Sequence, residues 1–426
     1  MDKIIIYGGN RLKGEVTVSG SKNSALPILF STLLTDDSMT ITNIPSLTDI
    51  NTAISFLNFI GKKITKKGNT VTVHSSYRCK RYKHIAPYEL VRKMRASILV
   101  MGPLLARLKK VDMSMPGGCA IGARPIDIHL DAFKKLGAEI LVKNGYIKTF
   151  VRNDLRGTAI NLNFPSVGAT ENILLAAVLA KGETIINNAA REPEIEDLAN
   201  VLNKMGANIS GAGTNKIIVN GMKKLSGFTC HEVIPDRIEA ATYIIAAAIT
   251  KGEIILKKVI PQHLDFVTNK LKKCGLFIKE TEDTILAKWT KNLRPQNVKT
   301  GVYPMFPTDL QAQWMVLMCL LNGYTSYIEE NIFENRFLHV AELQRFGANI
   351  TINGKTVNIK GVEKFSGAPA MVSDLRAGAA IILAGLAASG KTTVSRIYHL
   401  DRGYDTFEKK LKKLGANIKR VHYDDT

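Results

Sequence analysis

Residues 346–359 read Phe-Gly-Ala-Asn-Ile-Thr-Ile-Asn-Gly-Lys-Thr-Val-Asn-Ile and combine two strong structural signals. Gly347 follows the end of a predicted helix, and glycine adopts the left-handed conformation that ends many helices at the least cost. Asn353-Gly354 lies between two alternating apolar runs, a pattern typical of a β-hairpin. The segment therefore predicts a helix that ends at Gly347, followed by two antiparallel strands.

The same pattern recurs along the whole chain. Four of its six copies read Gly-Ala-(Asn/Glu)-Ile, which argues against chance. The glycines lie 76, 69, 69, 72 and 68 residues apart, a longer period than that of solenoid repeats, which is about 20–50 residues. The six predicted helix-ending glycines are Gly61, Gly137, Gly206, Gly275, Gly347 and Gly415.

Each copy also contains an earlier helix that is rich in small residues and apolar nearly all round, so it should be buried. A β-rich stretch follows each such helix, and the repeat reads strand, helix, strand, helix, strand, strand. Six copies fill nearly all of the 426 residues, and three could form one compact domain. The buried helices are expected near residues 23–34, 92–108, 173–182, 237–250, 309–322 and 381–390.

Composition limits the possible classes of protein. Hydrophobic residues make up 45% and charged residues 22%, as in ordinary globular proteins, which argues against a disordered, collagenous or membrane protein. Five widely spaced cysteines without a C-x-x-C pair argue against a disulfide framework or zinc site and favour a reducing compartment. The longest apolar run, residues 377–388, is far below the ~20 residues that cross a bilayer. We therefore expect a soluble, cytoplasmic protein.

The net charge is the unusual number: 58 Lys and Arg against 37 Asp and Glu give +21. Such an excess suggests an anionic partner, which could be nucleic acid, anionic lipid or a phosphorylated small molecule. A lysine-rich surface can equally serve solubility. The charge alone leaves these alternatives open.

Residues 385–392 match the P-loop pattern G-x-x-x-x-G-K-[ST] letter for letter. A P-loop needs a strand before it and a helix after it. Here a helix is predicted to end at Gly390 and a β-rich run to follow, so we reject ATP binding at this segment.

Residues 116–125, Pro-Gly-Gly-Cys-Ala-Ile-Gly-Ala-Arg-Pro, predict an exposed loop because glycine and proline interrupt regular structure. Arg124 would lower the pKa of Cys119 and make the thiol reactive. An incidental loop thiol is an equally good interpretation from the chemistry alone.

Charged side chains recur where the first helix of a unit begins. Lys22, Arg95, Asp309, Asp374 and Arg376 all occupy such positions. Helix N-termini attract anions, and basic side chains there would strengthen the attraction. The two aspartates can also be simple helix caps, and the bases can be solvated surface groups.

Seven motifs together resemble the enolpyruvyl transferase family, and in particular its members that use UDP-N-acetylglucosamine to begin peptidoglycan synthesis. The resemblance runs from the first strand to the last helix. The motifs lie at residues 21–27, 94–97, 116–125, 306–313, 333–337, 374–377 and 398–404.

The resemblance implies an α/β fold of two domains, an inside-out α/β barrel in which sheets surround buried helices, with three β-α-β-α-β-β repeats per domain. Residues 22–234 would form the domain that carries the Cys119 loop. Residues 1–21 and 235–426 would form the second domain, and the active site would lie in the interdomain cleft.

The implied reaction transfers the enolpyruvyl group of phosphoenolpyruvate to the 3-hydroxyl of the sugar and releases phosphate. Its two steps need a general acid and a general base. By resemblance Cys119 is the acid and the residue that fosfomycin would modify, and Asp309 is the base. Lys22, Arg124 and Arg402 would bind the phosphate, and Arg376 the carboxylate, since arginine binds both anions bidentately.

The same resemblance implies the nucleotide-sugar site, and it implies no cofactor and no metal. Asn23 would bridge the two substrates. One departure concerns residues 163–168, which lack a lysine that some members carry before Ser-Val-Gly, so contacts to the uridine diphosphate can differ there. The implied binding residues are Asn23, Arg95, Arg124, Pro125, Ile126, Asp127, Ile128, Ser166, Val167, Asp309 and Ile332.

Two alternatives remain. The shikimate-pathway enolpyruvyl transferase shares the fold but lacks the Gly-Gly-Cys loop. A basic nucleic-acid-processing protein would account for the charge, but it predicts basic clusters interleaved with aromatic residues. Aromatic residues make up only 7% of this chain. We therefore expect small-molecule substrates and neither nucleic acid nor a membrane as partner.

Overall fold

The computed structural model describes residues 2–76, 82–115 and 126–422. Within these ranges the strands, in chain order, are β1 (Asp2–Tyr7), β2 (Lys13–Thr17), β3 (Met39–Thr42), β4 (Lys63–Lys67), β5 (Thr70–His74), β6 (Ile85–Ala86), β7 (Lys110–Ser114), β8 (Glu139–Lys143), β9 (Tyr146–Phe150), β10 (Ala159–Asn161), β11 (Glu183–Asn187), β12 (Asn208–Ser210), β13 (Lys216–Asn220), β14 (Cys230–Glu232), β15 (Glu253–Lys257), β16 (Phe277–Glu280), β17 (Thr284–Lys288), β18 (Val298–Lys299), β19 (Thr325–Glu329), β20 (Asn349–Asn353), β21 (Thr356–Lys360), β22 (Pro369–Met371), β23 (Lys391–Ser395) and β24 (Asn417–His422).

The helices of the same ranges alternate with these strands. The α-helices are α1 (Lys22–Ser31), α2 (Thr48–Ile60), α3 (Tyr88–Val91), α4 (Met101–Leu108), α5 (Asp127–Lys135), α6 (Val167–Ala177), α7 (Pro193–Lys204), α8 (Arg237–Ile249), α9 (Asp265–Cys274), α10 (Gln311–Cys319), α11 (His339–Arg345), α12 (Leu375–Ala387) and α13 (Phe407–Lys413). Short 3-10 helices span Thr32–Leu34, Arg95–Val100, Pro261–Leu264, Thr308–Leu310 and Ile397–Arg402.

The described residues form two compact units. The inserted unit comprises residues 20–76, 82–115 and 126–234, and the discontinuous unit comprises residues 2–19 and 235–422. Each unit has its own hydrophobic core and three four-stranded sheets. The sheets of the inserted unit have the orders β6-β7-β9-β8, β10-β11-β13-β12 and β14-β3-β5-β4. Those of the discontinuous unit have the orders β2-β15-β17-β16, β18-β19-β21-β20 and β22-β23-β1-β24.

The predicted repeat is confirmed, and the copy at residues 159–220 shows it without interruption. It runs β10, α6, β11, α7, β12, β13. β10 and β11 are parallel, because a helix connects them, and β13 pairs antiparallel with both β11 and β12. The other five sheets follow the same order and the same directions.

Three copies are completed by strands that are distant in sequence. β2 pairs in parallel with β15, although the whole inserted unit separates these two strands in the sequence. β14 fills the equivalent place beside β3, and β1 pairs antiparallel with β24 at the other end of the chain. The linear repeat predicted from sequence is therefore closed in each unit by long-range pairing.

Two kinds of helix follow from the two kinds of sequence. The first helices of the repeats are enclosed by the cores, and every residue of α8 and of α10 is buried. The second helices are amphipathic, and α7 exposes polar residues while Ile195, Leu198 and Leu202 are buried. The apolar helices predicted from sequence thus lie inside, and the sheets and amphipathic helices lie around them.

The six predicted helix-ending glycines all have positive φ, between 93° and 129°. The predicted hairpin at Asn353-Gly354 is also present, since Asn353 pairs with Thr356 and Gly354 has φ 58°. Both local signals therefore determined the backbone at the positions where they occur.

The helix predicted near residues 92–108 differs from the expectation. It begins as a 3-10 helix at Arg95 and becomes the α-helix α4 only at Met101. Pro103 has no N–H and cannot pair with Leu99, so the first α-helical turn is incomplete. The irregularity could be suspected from Gly102-Pro103, but its form depends on tertiary contacts.

The P-loop match lies between the end of α12 at Ala387 and the start of β23 at Lys391. This helix-to-strand order is the one predicted from the sequence, and it is the reverse of what a P-loop requires.

Part of the excess of basic residues follows the repeat. Basic residues occupy the last turn of most second helices, where they interact favourably with the negative end of the helix dipole. They are Lys134 and Lys135 in α5, Lys204 in α7, Lys272 and Lys273 in α9, Arg345 in α11, and Lys410, Lys412 and Lys413 in α13.

Across the described ranges, no helix has both the length and the apolar character needed to cross a membrane. Within these ranges there is also no group of three or more His, Cys, Asp or Glu side chains arranged to hold a metal ion.

Candidate active site

The discontinuous unit contains a carboxylate bound by two arginines. Asp309 lies in the 3-10 turn before α10, Arg376 lies in the first turn of α12, and Arg336 precedes α11. Nη2 of Arg336 donates to Oδ1 of Asp309 at 2.9 Å. Nε and Nη2 of Arg376 donate to Oδ2 at 3.1 and 2.9 Å. Asp309 is thus not a simple helix cap, but the centre of a cationic cluster at two helix N-termini.

Arg376 is held in a buried environment, with 5% of its surface exposed. Burial disfavours its charged form, but Asp309, Tyr404 and Asp236 together outweigh burial, so the pKa of Arg376 is raised. Among the described residues, its Nη1 atom has no hydrogen-bond partner. Asp374 is the N-cap of α12 and accepts from the backbone N–H groups of Arg376 and Ala377, so the capping interpretation is confirmed for Asp374.

Tyr404 contacts three buried helices of this unit, α8, α10 and α12, next to the Asp309 cluster. Its hydroxyl lies 3.0 Å from Oγ1 of Thr242 in α8 and accepts from Nε2 of Gln313 in α10 at 2.9 Å. The centroid of its ring is 5.5 Å from the guanidinium carbon of Arg376 in α12. Burial raises the pKa of Tyr404, so its hydroxyl stays protonated and Arg376 rests on a neutral ring.

Glu330 fixes the loops on either side of Asp309. It is buried after β19 and accepts from Oγ1 of Thr308 at 2.9 Å. Its other oxygen accepts from the backbone N–H groups of Ile332 and Phe333 at 2.8 and 3.1 Å. Ile332, a predicted nucleotide-sugar residue, is therefore tied to the turn that carries Asp309.

Arg402 ends the 3-10 helix Ile397–Arg402, and this helix packs against α12. Burial is the main cause that lowers the pKa of His399, and the nearby positive charge of Arg402 adds to it, while Asp374 opposes it. Arg402 thus belongs to the same region as the N-terminus of α12 and increases its positive charge.

In the inserted unit, Lys22 and Asn23 open α1. Nζ of Lys22 lies 3.4 Å from Oδ2 of Asp49, whose carboxylate is almost fully buried in the first turn of α2. The Lys22 side chain is 13% exposed, so this ammonium group is oriented rather than free in solvent.

A second group of predicted residues meets around His129. Arg95 begins the 3-10 helix before α4, Asp127 and Ile128 begin α5, and Val167 follows the N-cap Ser166 of α6. The helices α5 and α6 contact each other, and so do α6 and the 3-10 helix. Burial lowers the pKa of His129 to about 4, and Arg95 contributes to this shift.

The predicted site residues fall into two sets in the described structure. Asp309, Ile332, Arg376 and Arg402 lie in the discontinuous unit, and Lys22, Asn23, Arg95, Ile126, Asp127, Ile128, Ser166 and Val167 lie in the inserted unit. Cys119, Arg124 and Pro125 are outside the described residues.

Sequence reasoning missed two residues of the cluster. Arg336 stands in the motif at 333–337, but its spacing carries no sign that it reaches Asp309, 27 residues earlier. Glu330 is an acidic residue after a strand, and no sequence signal marks it as buried.

Comparison with known proteins gives a consistent result over the full chain. The family model described as EPSP synthase (3-phosphoshikimate 1-carboxyvinyltransferase) matches residues 6–411. A protein of Endomicrobium trichonymphae named UDP-N-acetylglucosamine 1-carboxyvinyltransferase is 75% identical over 422 residues, which cover 99% of this chain and 100% of that relative. A protein of the same name from Geotalea uraniireducens is 54% identical over 421 residues, with the same coverage.

Solved structures show the same fold. The enolpyruvyl transferase NikO from Streptomyces tendae superposes with a TM-score of 0.88 at 24% identity and covers 99% of both chains. An EPSP synthase from Acinetobacter baumannii gives a TM-score of 0.77 at 21% identity, over 99% of this chain and 100% of that one. The predicted two-domain α/β fold with six repeats is thereby confirmed.

Proposed function

Because the chain belongs to the EPSP synthase family, we propose that it transfers the enolpyruvyl group of phosphoenolpyruvate to the 3-hydroxyl of UDP-N-acetylglucosamine and releases phosphate. The observation that carries this proposal is the 75% identity, over the full length, to a protein named for that reaction. The transfer would take place in the cytoplasm and would commit the nucleotide sugar to peptidoglycan synthesis. It would thereby serve cell-wall growth, cell shape and cell division.

The cluster around Asp309 supports a site for the carboxylate of phosphoenolpyruvate. Arg376 has an Nη1 atom without a hydrogen-bond partner among the described residues, and Arg336 is equally buried. A substrate carboxylate can accept two parallel hydrogen bonds from one guanidinium. Before the substrate binds, Asp309 accepts hydrogen bonds from both arginines and holds their side chains in place.

Asp309 is proposed as the general base. When the substrate carboxylate binds the guanidinium groups, the Asp309 carboxylate is released from some of the hydrogen bonds that it accepts from Arg336 and Arg376. It can then accept a proton during the transfer, from the sugar hydroxyl or from the methyl group of the intermediate. The same side chain thus organises the site and then acts in it.

Cys119 is proposed as the general acid that protonates the methylene carbon, and this role rests on the resemblance alone. Lys22, Arg124 and Arg402 are proposed to hold the phosphate, with Asp49 orienting Lys22. No cofactor is invoked, because these cations and Arg376 can neutralise both anionic groups of phosphoenolpyruvate.

The nucleotide sugar is assigned to the inserted unit, where Arg95, Asp127 and Val167 open three neighbouring helical segments. Their N-termini present backbone N–H groups that suit a diphosphate. Asn23, Ile126, Ile128 and Ser166 complete the proposed lining on this unit, together with Arg124 and Pro125. From the discontinuous unit, Asp309 and Ile332 are proposed to contact the sugar.

The decisive experiment measures phosphate release from phosphoenolpyruvate with each acceptor. We expect release with UDP-N-acetylglucosamine and none with shikimate 3-phosphate. The reverse dependence would replace this proposal with the shikimate-pathway reaction, and release with neither acceptor would refute both.

A second experiment tests Cys119. We expect incubation with fosfomycin to add one molecule to the protein by intact mass and to abolish phosphate release. The Cys119→Ser variant should remain unmodified, and Cys230→Ser, which removes the exposed thiol of β14, serves as the matched control. An unmodified parent protein would refute the assignment of Cys119 as a reactive thiol.

A further inference from the structure

Asn172 occupies an unusual position in the inserted unit. It lies in α6, its side chain is fully buried, and its amide is inserted into a turn of the neighbouring helix. Oδ1 accepts from the backbone N–H of Gly102 at 2.8 Å, and Nδ2 donates to the carbonyl of Ile98 at 2.9 Å. In a regular α-helix these two backbone groups would bond to each other, since they are four residues apart.

The insertion explains why the helix after Arg95 begins with 3-10 geometry. The carbonyl of Ile98 accepts from the N–H of Met101, a 3-10 bond, and uses its second lone pair for Asn172. The N–H of Gly102 is satisfied by Oδ1 of Asn172 instead of by the helix. A Cβ atom on Gly102 would lie 2.7 Å from Oδ1 of Asn172, so glycine is required for this approach.

The same amide reaches a third element. Nδ2 of Asn172 lies 3.1 Å from Nδ1 of His129 in α5. Since Nδ2 can only donate, Nδ1 of His129 is the acceptor and the neutral ring carries its proton on Nε2. The far side of the ring packs on α6, where a Cβ atom on Gly168 would lie 3.4 Å from its Cε1 atom.

We infer that Asn172 is a positioning residue for the nucleotide-sugar side of the site. Through its side-chain amide, Asn172 holds in place the segment that begins with Arg95. Through His129, it also holds the segment that begins with Asp127 and Ile128. Both segments are thereby fixed against the N-terminal part of α6, which follows Ser166. The identity of the ligand rests on the proposed function. The arrangement of the three segments depends only on the described contacts.

The sharpest variant is Asn172→Asp, which keeps the size of the side chain. A carboxylate still accepts from Gly102 but cannot donate to Ile98 or to His129. Loss of one or two buried hydrogen bonds corresponds to about a 10- to 100-fold effect. We expect the dissociation constant for UDP-N-acetylglucosamine, measured by calorimetry without phosphoenolpyruvate, to rise by that factor, while kcat at saturating nucleotide sugar falls less than about fivefold.

The matched control is Val178→Ala, a buried substitution just past the far end of α6. It should lower the melting temperature and leave the dissociation constant within about twofold. If the two variants lose affinity equally for the same loss of melting temperature, Asn172 is only structural and the inference is wrong. If the parent protein binds no UDP-N-acetylglucosamine, the proposed function fails, and the next measurement still tests Asn172.

That measurement needs no ligand, and its first part uses the parent protein alone. Nitrogen-15 NMR of labelled histidine should show His129 as the Nε2–H tautomer, with an unprotonated Nδ1, at neutral pH. In Asn172→Asp the ring should gain a proton at higher pH than in the parent protein. An Nδ1–H tautomer in the parent would mean that Asn172 does not donate to His129, and would overturn the inference.

Discussion

Replacing Asp309 by asparagine tests both roles proposed for this carboxylate. Asp309 accepts three hydrogen bonds from Arg336 and Arg376, and each bond to a charged group contributes about 1.5–3 kcal/mol. Asparagine keeps one acceptor and turns its NH₂ group toward a guanidinium, so we expect a loss of ~3 kcal/mol in the free energy of unfolding. For a unit of this size that lowers the melting temperature by roughly 6–12 °C.

The catalytic effect should be separable from the structural one. Loss of a general base lowers the rate about 10²- to 10⁴-fold, or ~3–5 kcal/mol in activation free energy. Calorimetry and phosphate release would measure the two effects in the same preparation. Phosphoenolpyruvate should raise the melting temperature of Asp309→Asn more than that of the parent, because its carboxylate replaces the lost charge. Asp2→Asn, which removes a carboxylate paired with Arg420 and His422, is the matched control and should retain full activity.

The reasoning would be refuted in two distinct ways. A melting temperature that falls as expected with an unchanged rate would leave the structural role and exclude Asp309 as the base. A rate that falls with an unchanged melting temperature would mean that the arginines do not depend on Asp309 for their stability.

Three further predictions concern the stability of the fold. Gly206→Ala should cost ~1–2 kcal/mol by chemical denaturation through backbone strain alone, since φ is 96° and nothing lies within 4 Å of the added Cβ; an unchanged stability would contradict this. Lys410→Met should cost ~3–5 kcal/mol because it leaves the buried Glu239 carboxylate without its cation, and Glu239→Gln in the same chain should recover part of that loss in a double-mutant cycle. Burial lowers the pKa of His339 to about 4, so the unfolded chain binds the extra proton and stability should fall as the pH drops from about 6.5 toward 4; His339→Gln should flatten this slope, and an identical slope would refute the burial of a neutral ring.

Local signals in the sequence were sufficient to predict the repeat. Positive φ at Gly206 follows from the chemistry of glycine, and the burial of α8 follows from its apolar composition, because both depend on residues adjacent in the chain. The helix-to-strand order that excludes a P-loop at residues 385–392 was readable for the same reason. The basic residues at the ends of the second helices recur with the same period, so part of the charge excess belongs to the repeat.

Tertiary structure decided the pairings that bring distant residues together. Nothing near Asp309 in sequence indicates that Arg336 and Arg376 both bind it, 27 and 67 residues away. The helix that begins at Arg95 could be predicted, but its 3-10 geometry depends on an amide from Asn172 in another helix. Periodicity and turn chemistry act over a few residues, so the sequence by itself determined the elements and their order. The side chains that converge on one carboxylate or one backbone turn depend on how the helices pack, and that is settled only when each core closes.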